Sequence, residues 1–97
     1  MTALSTTIKR RYFEAIVKGT KGTEFKATSP FWRKRIDNKG LELDTIVFLC
    51  GKDVHKRQIM MIQEVPTEPI LKDLINTPTM YAIHLGLEIK NTKEEKP

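Results

Sequence analysis

The apolar positions change period several times along this chain, and each change marks an element. Ala3 to Lys9 is short and carries the β-branched Thr6, Thr7 and Ile8, which predicts a strand. From Arg10 to Lys18 the residues Tyr12, Phe13, Ile16 and Val17 fall at i, i+1, i+4 and i+5, the spacing of one helix face. Lys18 suits the negative end of that helix, and Gly19 is placed to close it. Gly22 to Ala27 reads as a second strand. Ser29 and Pro30 supply a hydroxyl for an N-cap and a proline for the first helical position. They predict a short helix over Phe31 to Ile36, stopped by Asp37-Asn38-Lys39-Gly40.

In the second half, Leu41 to Asp44 leads into Thr45 to Cys50. That run is almost wholly apolar and predicts a strand covered on both faces. A turn at Gly51-Lys52-Asp53 and a return strand over Arg57 to Val65 complete an antiparallel hairpin. Pro66 and Pro69 break the pattern. Ile70, Leu71, Leu74 and Ile75 then repeat helical spacing, with Pro78 just past their end. Thr79 to Lys90 alternates: Tyr81, Ile83, Leu85, Leu87 and Ile89 share one face, and Ala82, His84, Gly86 and Glu88 the other. Gly86 is a place for a bulge or a bend. Residues 91–97 are polar and read as a disordered tail on a domain of residues 1–90. The order is β-α-β-α-β-β-α-β. The class is α+β, and the expected architecture is a small β-barrel of about five or six strands with short flanking helices, because curling hides sheet edges.

Composition narrows the class. Ninety-seven residues make one domain, and 39% hydrophobic with 30% charged residues is a globular balance rather than a disordered one. No apolar run approaches the roughly 20 residues of a membrane helix, so no membrane partner is expected. The first residues lack the order of a secretory signal. The lone Cys50 has no partner for a disulfide and reads as a small hydrophobe, and a reducing cytoplasm is the expected compartment.

The net charge of +5 is unevenly spread. Residues 1–36 hold nine Lys or Arg against two acids, and the rest hold eight against ten. A basic element on a near-neutral domain suits a polyanion, although it also suits a solvated surface.

The most distinctive stretch runs Ile8-Lys9-Arg10-Arg11-Tyr12-Phe13, through Gly19-Thr20-Lys21-Gly22-Thr23-Glu24-Phe25-Lys26, to Pro30-Phe31-Trp32-Arg33-Lys34-Arg35-Ile36. It resembles the ASCH domain, a small barrel related to the PUA fold. The family pattern G-x-K-x-x-E-x-R is met by Gly19, Lys21 and Glu24, with Lys26 where Arg is usual. Tyr12-Phe13-x-x-Ile16 and Pro30-Phe31-Trp32-x-x-Arg35 are similar to the family's surroundings. The likeness covers about residues 6–36, and Tyr81 to Ile89 is similar to the family's last strand. It implies a PUA-like barrel that binds RNA or a nucleotide in a basic cleft around the motif. It also implies two enzymatic alternatives, a ribonuclease and an amidohydrolase acting on N4-acetylcytidine. The latter group carries Thr three residues after its motif lysine. Glu24 stands there in this chain, and the neighbouring Thr23 replaces that hydroxyl only if the strand register differs.

Read from the residues themselves, Lys21 and Glu24 point to opposite faces of a regular strand, so joint use needs an irregular step near Gly22. Glu24 and Lys26 share a face and can pair. A lysine works as a base near neutral pH only when burial or cations lower its pKa from about 10.4. A charged lysine instead holds phosphate or an oxyanion. The candidate catalytic pair is therefore Lys21 and Glu24, with a purely structural ion pair as the other reading of Glu24. Candidate nucleic-acid-binding residues are Lys9, Arg10, Lys21, Lys26, Trp32, Arg33 and Arg35. Trp32 either stacks a base or packs inward, whereas Phe31 and Ile36 read as core. His84 reads as a core or barrel-lining residue, and His55 as an exposed residue of the hairpin turn. No metal spacing is present and no cofactor is expected. The leading function is RNA or nucleotide binding, ahead of an RNA-processing enzyme and of a protein-interaction module with a basic face.

Overall fold

A computed structural model describes residues 2–37 and 43–90. The elements are β1 (Thr2–Thr7), α1 (Arg10–Lys18), β2 (Thr23–Ala27), α2 (Pro30–Ile36), β3 (Leu43–Cys50), β4 (Asp53–Pro66) and β5 (Thr79–Glu88). The predicted tail at 91–97, and most of the predicted stop after Ile36, lie outside the described residues. The five strands form one curled, mixed sheet in the order β1-β3-β4-β5-β2. β1 runs parallel to β3, and the other neighbours are antiparallel. The sheet is half of a barrel: β1 and β2 are its two edges and are not bonded to each other.

α1 has the predicted bounds and buries Phe13 and Ile16. Its end is fixed by Gly19, whose φ of 85° is the left-handed conformation that side chains disfavour. α2 begins at Pro30 as predicted, although the Ser29 hydroxyl makes no capping bond. Leu4, Phe13, Ile16, Ile36, Leu43, Ile46, Phe48, Cys50, Tyr81 and Ile83 make the core. On β3, Ile46, Phe48 and Cys50 are buried, and Val47 and Leu49 on the opposite face are half-buried.

Four expectations are corrected. The predicted helix around residues 70–75 is a single 3-10 turn over Pro69–Leu71; its prolines and short length leave few backbone bonds to sustain a helix. Phe31 is 53% exposed rather than core. A seven-residue helix turns only Ile36 fully inward and Trp32 partly so.

The third concerns Leu87, which is 74% exposed, while Met80, Tyr81, Ala82 and Ile83 are buried in succession. Residues 80–83 pair regularly with β2 and β4 and are covered on both faces, whereas past Leu85 the alternation fails because β5 is irregular. Arg57 pairs with Glu88 and Ile59 with Leu85, so β5 advances three residues where β4 advances two. The extra residue falls at Gly86–Leu87, where the sequence predicted a bulge or bend. A second shift at Met60 returns the register. A β-carbon on Gly86 would meet Met60 Sδ at 2.9 Å and Gln58 Cβ at 3.2 Å, so the exposed Met60 side chain would have to shift to admit one. Arg57 locks the distortion, donating from Nε to Gly86 O at 2.6 Å and from Nη1 to Ile16 O at 3.2 Å. One cation thus ties the bulge to the end of α1, where carbonyls lack helical partners.

The fourth is His55. β4 starts at Asp53, so His55 is not in the turn but faces Phe48 across the ladder. It is only 7% exposed, and the Phe13 ring meets it edge-on with centroids 6.2 Å apart. Nε2 is buried without a hydrogen-bond partner, and Nδ1 lies 3.7 Å from Glu88. Burial depresses its pKa below the usual 6.5; Glu88 opposes that shift and Arg57 adds to it. The unfolded chain therefore binds a proton near pH 6.5 that the folded chain refuses. Stability is full above that pH and declines as pH falls below it. We expect the urea midpoint to drop between about pH 7.5 and about pH 5, with a flatter profile in His55→Phe. Equal slopes in the two proteins would remove His55 as the cause.

Candidate functional site

The free edges of β1 and β2 face each other across a cleft of about 350 Å³. Thr7, Ile8 and Lys9 line it from the β1 side, and Lys21 and residues 24–27 from the β2 side. Tyr12 and Trp32 close it from the two helices, and Leu71, Leu74 and Ile75 give it an apolar wall. The residues predicted as a helix over 70–75 thus have a use without forming one. Sites for small molecules span roughly 300–1,000 Å³, so this cleft admits about one nucleotide and no duplex.

Lys21 reaches the cleft because α1 stops where it does. Ala15 O accepts from the Thr20 amide at 2.9 Å, the Lys21 amide at 3.1 Å and the Thr20 hydroxyl at 3.1 Å. Gly22 O accepts from the Leu85 amide at 3.0 Å, pinning the other side of the turn to β5. Lys21 is thus held off the strand, which supplies the irregular step that a regular strand would have denied. Its ammonium lies 3.3 Å from Glu24 Oε1 and also donates to Thr23 O. Lys26, two residues on along β2, places Nζ 3.0 Å from Glu24 Oε2 and 5.0 Å from the centre of the Trp32 ring.

The Glu24 side chain is only 8% exposed and each of its oxygens meets one ammonium. Two cations and one anion leave an excess positive charge, and Lys9 adds another at the rim. An ammonium has three donors. Lys21 uses two on the protein and Lys26 one, so N–H groups remain for a ligand. The carboxylate also holds both lysines in place, which lowers the conformational entropy a ligand must remove from them.

Of the seven predicted nucleic-acid contacts, Lys9, Lys21, Lys26 and Trp32 line the cleft. Trp32 meets both readings, since it packs against the core and also faces the cleft. Arg10, Arg33 and Arg35 lie outside it. Arg10 pairs with Asp53 at 2.7 Å across the β3–β4 turn. Arg33 pairs with Glu64 at 3.1 Å and Asp37 at 3.3 Å, and reaches the Tyr81 hydroxyl at 3.4 Å. That hydroxyl donates to Asp37 at 2.9 Å, and burial together with this bond pushes the Tyr81 pKa up to about 12. The Arg33 guanidinium lowers the Glu64 pKa. Arg35 lies over Phe31 and pairs with no acid among the described residues.

Sequence reasoning missed Tyr12 and the apolar wall. Tyr12 was readable only as part of a helix face, and the wall depends on where the segment after β4 folds back.

Thr23 pairs with His84 on β5, and its hydroxyl lies 3.4 Å from His84 Nδ1, while Nε2 lies 2.8 Å from Gln63 Oε1. Neither Thr23 nor His84 lines the cleft. Among the described residues no cluster of His, Cys, Asp or Glu is placed to hold a metal ion, and no helix is long and apolar enough to cross a membrane. No family model, curated protein or solved structure matches the chain.

Proposed function

We propose that this chain is an ASCH-type, PUA-like domain that binds RNA or a nucleotide in the cleft between β1 and β2. The observation that carries the reading is the pair of ammonium groups, Lys21 and Lys26, braced on one buried carboxylate at a cleft wall. Phosphate is the ligand such a pair suits, because charge-assisted bonds from a preorganised donor are strong. Tyr12 and Trp32 offer ring surfaces for a base, and the cleft's apolar wall shelters it.

Binding is favoured over hydrolysis. The amidohydrolase alternative needs a hydroxyl near Lys21, and Thr23 turns its own toward His84. A ribonuclease needs a free proton-transfer group at the phosphate; no histidine lines the cleft, and both oxygens of Glu24 are engaged by the ammoniums of Lys21 and Lys26.

The chain has a single tryptophan, Trp32, so its emission reports occupancy directly. Titration with uridine 5′-monophosphate and with a short RNA is expected to change that emission saturably, with affinity falling as salt rises. No change with either ligand at low salt would defeat the reading. Arg33→Ala is expected to leave the titration within about twofold of the parent while lowering the melting temperature, since its guanidinium is already paired.

A further inference from the structure

We propose that the ligand is a single-stranded oligonucleotide, and that the nucleotide next to the one in the cleft stacks on the Phe31–Arg35 pair of α2. The proposal rests on the cleft reading above and extends it.

Phe31 is a large apolar ring left half in water, and nothing in the core requires it. Its centre lies 4.9 Å from that of Trp32, the residue that forms the cleft wall, with the rings edge-to-face. The two aromatics therefore place a site outside the cleft one ring away from the site inside it.

The Arg35 guanidinium carbon lies 3.5 Å from the Phe31 centroid, the contact distance of two stacked planes. Nη1 donates to Phe31 O at 3.1 Å and fixes that pose. An arginine has five N–H donors, so most remain free. Arg33, two residues earlier on the same helix, shows the contrast: its guanidinium is held by two carboxylates. Arg35 makes no such pair among the described residues and keeps an open face.

A planar cation over an exposed ring is a platform for an unpaired base, which stacks on guanidinium as well as on aromatic planes. The charge agrees: α2 carries Arg33, Lys34 and Arg35 and no acid. A duplex keeps its bases stacked on each other and offers neither site a base. An acidic peptide meets the charge but has no plane for the guanidinium face.

The test compares uridine 5′-monophosphate, read by Trp32 emission, with dye-labelled hexauridylate, read by anisotropy. A stack is worth about 1–3 kcal/mol, so the hexamer is expected to bind at least about fivefold tighter than the mononucleotide. Phe31→Ala and Arg35→Ala are each expected to remove most of that gain and leave the mononucleotide within about twofold. Arg35→Lys keeps the charge without the plane and is expected to resemble Arg35→Ala. Hexadeoxyuridylate distinguishes RNA from DNA as the source, and a gain with either hexamer supports the stacked path.

A hexamer no tighter than the mononucleotide would overturn the proposal and leave the cleft reading standing. So would an RNA hairpin duplex that binds as well as the hexamer, or an Arg35→Lys variant that behaves as the parent. If the mononucleotide fails to bind the parent protein, the cleft reading itself fails. Both side chains are exposed, so these variants are expected to fold, with far-ultraviolet circular dichroism as the check.

Discussion

Glu24→Ala is expected to melt about 10–20 °C below the parent protein. Its carboxylate is nearly buried and neutralises two ammoniums that are themselves mostly shielded from water. Removing one partner of a buried ion pair costs about 3–5 kcal/mol, because the remaining charge is stranded. Lys21 and Lys26 keep some contact with solvent and can partly rehydrate, which brings the loss toward about 2–3 kcal/mol. In a domain of this size each kcal/mol moves the melting temperature by about 4–8 °C. Glu24→Gln keeps the shape and one acceptor and is expected to fall between the two. The variant also has a signature that ordinary core damage lacks: inorganic phosphate should raise its melting temperature more than the parent's, since an anion can take the place of the lost carboxylate. Melting within about 2 °C of the parent, measured by calorimetry, would mean that Glu24 does not hold the lysines.

Lys21→Ala is expected to lower affinity for uridine 5′-monophosphate about 10- to 100-fold, and Lys21→Ala with Lys26→Ala to abolish measurable binding. A hydrogen bond from a charged donor is worth about 1.5–3 kcal/mol, and about 1.4 kcal/mol is a factor of ten. Stability should suffer much less than in Glu24→Ala, because Lys26 still neutralises the carboxylate. With a short single strand, each lost phosphate contact should also flatten the salt dependence by about 0.7 in the log–log slope. Unchanged affinity and slope in Lys21→Ala would make Lys21 a brace for Glu24 and nothing more.

Much of this arrangement is legible in the sequence. The bounds of α1 follow from its apolar spacing and from Gly19, both local signals. The Glu24–Lys26 pair follows from strand alternation. The meeting of Lys21 with Glu24 needed the turn between α1 and β2, and its geometry depends on a bond from Leu85, more than 60 positions away. His55 and Leu87 were misread for a related reason. β4 is longer than its apolar centre, and its partner carries an extra residue at Gly86–Leu87, so local patterning no longer reports which side is inside. Phe31 looked like core by composition, but a short helix has room for only one well-buried side chain. A basic cleft at the motif is expected from the resemblance, but its walls are not legible locally, because they exist only once the strand order makes β1 and β2 the two edges.

That strand order has a consequence for the order of assembly. Every charged or aromatic side chain proposed to touch the ligand lies within the first 36 positions. Yet β2, which carries Glu24 and Lys26, has β5 as its only strand partner among the described residues, with Thr23 aligned to His84. During synthesis the binding residues emerge early and wait for the last strand before they have a scaffold. Contacts so distant in sequence close slowly. A chain cut before Thr79 would retain the whole recognition sequence and have nowhere to display it.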